Sequence, residues 1–180
     1  YRYATTEEKK EELHKLISEE YPDATLKKFD HDFLDDLRDT INYSAEFTAK
    51  NAVVFSGKTG IFSLNMADEI TSRSFPVEEE RTYPIDLHRS WTSISTLNQS
   101  GEITFPKSWK LISLPESVDI SNTYGAYKLT FKKDSNRITY TRKVVFNFNK
   151  VILPEEHSTI APFFKKVAAA DDVQLLFFTR

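Results

Sequence analysis

The densest set of potential metal ligands is Asp30, Asp32, Asp35, Asp36 and Asp39, grouped around His31. Carboxylates at this density could hold calcium, which takes about six to eight oxygen ligands. A helix–loop–helix calcium loop needs glycine at its sixth position and glutamate at its twelfth. Counted from Asp30, those positions hold Asp35 and Ile41, so that pattern fails. A solvated acidic loop over residues 30–39 is the plainer reading, and a looser calcium site over Asp30–Asp39 stays open. A second candidate is Ala52-Val53-Val54-Phe55-Ser56-Gly57-Lys58-Thr59, which fits a relaxed phosphate-loop pattern without its first glycine. That chemistry needs backbone amides cradling phosphate at the start of a helix. Here Val-Val-Phe precedes the glycine and Gly60-Ile61-Phe62 follows Thr59, so a hairpin turn is expected instead. The histidines, His14, His31, His88 and His157, show no H-x-x-x-H or HExxH spacing. A Ser–His–Asp triad can assemble across a fold, yet no G-x-S-x-G elbow nominates a serine. No catalytic, cofactor-binding or metal-binding residue is therefore assigned.

Trp91 and Trp109, with Tyr83 and Phe105, could form an aromatic platform for sugar rings, because aromatic faces are flat and apolar. Core packing is the competing reading, and Trp91 and Trp109 are retained as candidate binding-surface residues. Asn42-Tyr43-Ser44 and Asn98-Gln99-Ser100 match the glycosylation sequon, which carries meaning only in a eukaryotic secretory setting.

These residues must be positioned by elements that the pattern also suggests. Thr5 and Glu8 have capping-box spacing, and Leu13, Leu16, Ile17 and Tyr21 follow at helical period, predicting a helix over 6–20 that Pro22 ends. Leu26–Phe29 reads as a short strand. Ile41, Tyr43, Ala45 and Phe47 alternate with polar residues as a half-buried strand. Val53–Ser56 and Ile61–Leu64 flank the Gly57–Gly60 turn. Tyr83, Ile85 and Leu87 alternate again, and Trp91–Leu97, Glu102–Phe105 and Val118–Ser121 are further strand candidates. Tyr127, Leu129 and Phe131 alternate before a turn at Asp134-Ser135-Asn136. Ile138, Tyr140, Val144, Phe146 and Phe148 then line one face of a long strand. A second helix is expected over 157–170, with Ile160, Phe163, Phe164 and Val167 inward. With Ser158 as its N-cap, Pro162 would fall in the first turn. Leu175–Phe178 reads as a last strand. The expected fold is mainly β, an antiparallel β-sandwich with an N-terminal helix and a helix near the C-terminus.

Composition removes several function classes. The 180-residue chain has no cysteine, which rules out thiol catalysis, disulfides and cysteine-ligated metals. Its net charge of −3 gives no basic field for nucleic acid. Only 4 glycines stand beside 14 Phe and 8 Tyr, a balance suited to a packed β core rather than to phosphate-binding loops. No run approaches the roughly 18 apolar residues of a transmembrane helix. The first residue is Tyr1, which suggests an excised or processed fragment.

Several short motifs carry a resemblance. Glu80-Arg81-Thr82-Tyr83-Pro84-Ile85-Asp86 lies upstream of Leu114-Pro115-Glu116-Ser117-Val118-Asp119-Ile120 and Asn122-Thr123-Tyr124-Gly125-Ala126-Tyr127. A hairpin ending in Arg142-Lys143, a Leu153-Pro154-Glu155-Glu156 step and a Phe-rich helix closing on Ala170-Asp171-Asp172 complete the set. Over roughly residues 20–180, this resembles the C-terminal β-domain, a domain of unknown function, of bacterial multidomain transglutaminase-like proteins. The resemblance implies a papain-like core upstream whose Cys, His and Asp are absent here. It further implies an exported, periplasmic or cell-surface parent. Residues 1–22 would then be a helix leaving that core, and residues 23–180 an accessory β-sandwich packing beside it. The expected partner is the upstream domain of the same chain. An independent surface module for glycan or protein is the alternative, and an unrecognised hydrolase ranks last.

Overall fold

The computed structural model describes residues 5–32, 42–65, 69–71, 82–86, 96–147 and 151–179. Contacts divide the chain into two compact units, Tyr1–Val54 and Phe55–Arg180.

The first unit holds helix α1 (Thr6–Glu20) and strands β1 (Ala24–Asp32) and β2 (Asn42–Ala49). The capping box forms as its spacing predicts. Thr5 N–H donates to Glu8 Oε2 at 2.7 Å, and Glu8 N–H donates to Thr5 Oγ1 at 3.3 Å. At the other end Tyr21 N–H reaches the Ile17 carbonyl, and Pro22 prevents continuation. Leu13 is buried, whereas Leu16 on the expected apolar stripe is exposed. β1 and β2 pair antiparallel from Ala24↔Ala49 to Asp32↔Asn42, with an irregularity between Leu26 and Lys28. Two expectations change here. Asp30–Asp32 extend β1 rather than open a loop, because they pair with Asn42–Ser44. β2 is exposed along its length except at Ala49, so the alternation marked a strand but not a buried face. α1 packs on β1, and among the described residues this ribbon has no third strand to bury β2.

The second unit is a β-sandwich. One sheet runs β3 (Val53–Ser56), β4 (Thr59–Leu64), β10 (Val173–Thr179), β6 (Trp109–Ser113), with β3 spanning the boundary between the units. The other runs β5 (Thr96–Thr104), β9 (Arg137–Phe146), β8 (Gly125–Asp134), β7 (Val118–Asn122). Helix α2 (His157–Asp171) follows a single 3-10 turn, Pro154–Glu156. The inner faces share one core. Tyr127, Leu129, Ile138 and Val144 come from one sheet, Leu111, Leu175 and Phe177 from the other, and Ile160, Phe164 and Val167 from α2.

Local chemistry explains the connections. Gly57 takes φ 60 in the two-residue turn between β3 and β4, the left-handed region where glycine is least strained. The suspected phosphate loop is this hairpin. The β8–β9 turn is Ser135-Asn136, closed by Asp134↔Arg137, with Ser135 at φ 55. β5 is one strand rather than two segments, because Gly101 keeps it in register with β9 beneath the Tyr140 ring. β6 escaped the sequence reading. It is only five residues long, and its pairing with β10 shifts between Leu176 and Phe177. Tyr83–Leu87 is not a strand among the described residues: Ile85 makes an isolated bridge to Ile152, and Leu87 lies outside them. Ser158 is not the α2 N-cap either. The 3-10 turn leads in two residues earlier, with Glu156 at the N-cap position, so Pro162 sits inside the helix, where its ring nitrogen cannot donate to the Ser158 carbonyl.

Candidate functional site

Alternation along β9 places residues 138, 140, 142, 144 and 146 on one inward face. Four of these are apolar or aromatic, and the fifth is Arg142. The strand therefore carries a guanidinium into the core, fully shielded from solvent. An isolated buried charge is prohibitively costly, so a counter-charge must be delivered to it. The last residue of α2 supplies it. Asp171 Oδ1 accepts from Arg142 Nε at 2.9 Å, and Oδ2 accepts from Arg142 Nη2 at 2.5 Å.

Two further donors complete the carboxylate. Tyr127 on β8 donates its hydroxyl to Asp171 Oδ1 at 2.5 Å, and Ile70 N–H donates to Oδ2 at 2.8 Å. A carboxylate offers about four acceptor positions, and all four are filled. The Arg142 guanidinium also lies 5.9 Å from the centroid of the Tyr127 ring. Burial, then the bond to Asp171, pushes the Tyr127 hydroxyl far above the ordinary phenol range, so it stays a donor. Tyr140, opposite Phe131 further along β9, is raised by burial and bonded by Gln99 Nε2 at 3.2 Å. Chemically this set is closed. Asp171 has no lone pair to offer a substrate, and neither it nor Arg142 is reachable from solvent. It works as a pin joining β8, β9, the end of α2 and the Ile70 segment.

None of these residues was nominated from sequence as a site. The available signal was the gap between Tyr140 and Val144 in an otherwise regular inward row. That gap marks an inward arginine, and an inward arginine requires a partner.

Among the described residues, the nominated side chains lie on separate elements. Trp109 is half-buried, with its ring 5.3 Å from Phe55 and 5.7 Å from Phe177. Phe105 is buried against Phe177 at 4.9 Å and belongs to the core, against which Trp109 packs partly buried. Tyr83 is exposed, and Trp91 lies outside the described residues. His14 sits on α1, its Nδ1 3.5 Å from Ser18 Oγ. His31 lies on β1 beside Phe29, with ring centroids 5.2 Å apart. His157 opens α2, and His88 lies outside the described residues. Of the acidic run, Asp35, Asp36 and Asp39 also lie outside them. Among the described residues, no three His, Cys, Asp or Glu side chains converge as a metal site.

One open cleft of about 430 Å³ lies in the second unit where α2 ends and β10 begins. Its floor is apolar, from Val118, Leu129, Phe131 and Val173, and its rim carries Glu116 and Asp172.

A family model describing a domain of unknown function, DUF3858, matches residues 58–177. No curated protein and no solved structure matches the chain.

Proposed function

The chain belongs to the domain-of-unknown-function family DUF3858, and on that premise we propose that it is a non-catalytic accessory domain. In this reading it follows a transglutaminase-like, papain-like core in an exported bacterial protein. There it packs beside the core, shapes access to its cleft or holds a partner. The observation that supports this best is the closed Tyr127–Arg142–Asp171 set. The buried polar groups of this set are spent on holding one sheet, the end of α2 and the Ile70 segment together, with Asp171 saturated. Rigidity of this kind suits a domain that presents surfaces to a neighbour. The motifs from Glu80 to Asp172 supply the link to the transglutaminase-like parents.

The test is made on the parent. The reading frame preceding Tyr1 is sequenced, and the parent is expressed with and without residues 1–180. The expected result is an upstream core carrying a Cys followed by a His and an Asp. Acyl-transfer or peptide-hydrolysis activity should then change on removal of the domain, while residues 1–180 alone show none. A parent lacking such a core overturns the reading. The open cleft favours a second reading, an independent surface-binding module, which would then lead.

A further inference from the structure

We propose that the cleft at the end of α2 binds a primary ammonium carried on a short aliphatic stem, the chemistry of a lysine side chain. This goes beyond the accessory reading and stands without it, because every residue involved belongs to the second unit.

The argument begins with the volume. A space of about 430 Å³ is of ligand size. Its floor is built from Leu129, Phe131 and Val173, all buried, with half-buried Val118. An apolar floor takes a hydrocarbon stem.

Among the described residues, the rim carries two carboxylates and no basic side chain. Glu116, on the β6–β7 connection, and Asp172, the residue capping α2, are both exposed and both line the cleft. Among the described residues, neither side chain has an ion-pair partner. The C-terminal end of α2 adds its own negative partial charge, and no basic side chain lies in the last turn to offset it. Ser113 and Gln174 supply neutral acceptors on the same rim. An ammonium has three donors and no acceptor, which suits two carboxylates above a hydrophobic floor. Two sources present this group, a free alkyl amine and a lysine within a polypeptide.

The test uses the full 180-residue chain, labelled with 15N, at low salt. The probes are Nα-acetyl-lysine methylamide, cadaverine and the uncharged comparator Nα-acetyl-norleucine methylamide. Saturable amide shifts are expected at Val118, Ala170 and Gln174. Exposed carboxylates contribute modestly, so the dissociation constant should be about 1–10 mM. The norleucine comparator should bind about fivefold more weakly or worse. Glu116→Gln combined with Asp172→Asn should weaken the lysine probe about five- to tenfold without moving the thermal midpoint, because both positions are exposed. Equal binding of cadaverine and the lysine probe points to free amines, and preference for the lysine probe points to a polypeptide. The proposal is overturned if norleucine binds as tightly as lysine, if the shifts fall elsewhere, or if no amine gives a saturable shift.

Discussion

Arg142 meets Asp171 edge to edge, Nε at 2.9 Å from Oδ1 and Nη2 at 2.5 Å from Oδ2, with both side chains excluded from water. The planar fork of the guanidinium matches the carboxylate, which is why arginine rather than lysine suits this place. The pair also fixes geometry, since β9 and the end of α2 cannot slide without breaking both bonds.

A buried pair contributes little net stability over an apolar pair, but losing one partner strands the other. Asp171→Ala should therefore cost about 3–5 kcal/mol, and Arg142→Ala a similar amount. The combination Arg142→Met, Asp171→Leu, Tyr127→Phe should lose much less than the sum of the single truncations, because no buried charge remains. Urea unfolding curves read these values. A loss below about 1 kcal/mol for either single truncation would show that the pin does not hold the second unit together.

Tyr127 gives an alkaline test. Its hydroxyl is held neutral in the fold by burial and by Asp171, so its folded pKa lies above the unfolded value of about 10. The folded state then holds the proton more tightly than the unfolded state. That stability is fully present below pH 10 and is lost as pH rises beyond it. Unfolding free energy should fall above pH 10 by up to about 1.4 kcal/mol per pH unit for this group. Tyr127→Phe should be less stable at pH 7 yet show a shallower alkaline decline. Tyr140, raised by burial as well, should account for part of the remainder, so Tyr127→Phe with Tyr140→Phe should be flatter still. Denaturant titrations between pH 8 and 11 decide this.

What was legible in the sequence follows from period and punctuation. α1 was readable because Thr5 and Glu8 signal its start and Pro22 its end. The β8–β9 hairpin was readable because one face is buried and the other is not. The same logic overreaches at β2, where alternation is present but nothing among the described residues buries it, since pattern reports a strand's preference and not its neighbours. β5 was split because the polar run Asn98-Gln99-Ser100-Gly101 looks like a break. Only the Tyr140 ring across from Gly101 explains why glycine belongs inside that strand. The buried pin stayed hidden for a related reason. Its members lie at positions 70, 127, 142 and 171, and no local window contains two of them.

The start of α1 gives an acid-side test. Glu8 lies below the usual carboxylate range because its ionised side chain accepts from the Thr5 N–H and hydroxyl. Folding lowers its pKa, so the stabilisation is present above about 4.5 and is lost as pH falls through the folded value. The first turn of α1 should therefore fray in acid before the second unit responds. Hydrogen exchange at Glu8 and Lys9 should accelerate as pH falls below 4.5, relative to the intrinsic rate. Thr5→Ala should show the same fraying at pH 7. If protection in that turn does not change with pH, the capping box does not control it.

Two glycines separate a side-chain obstacle from a backbone one. A Cβ at Gly101 would fall inside the Tyr140 ring, whereas a Cβ at Gly125 would press on the Val145 carbonyl oxygen. Overpacking of this kind costs about 1–3 kcal/mol, occasionally more. Gly101→Ala should therefore destabilise by about that amount, and the cost should largely vanish in a Tyr140→Leu background, where the ring is gone. A double-mutant cycle should give a favourable coupling of about 1 kcal/mol or more. Gly125→Ala should cost at least as much and gain nothing from trimming its nearest side chain, Phe163, because the obstacle is main chain. Equal rescue in both backgrounds, or none in either, would mean that Tyr140 does not set the residue at position 101.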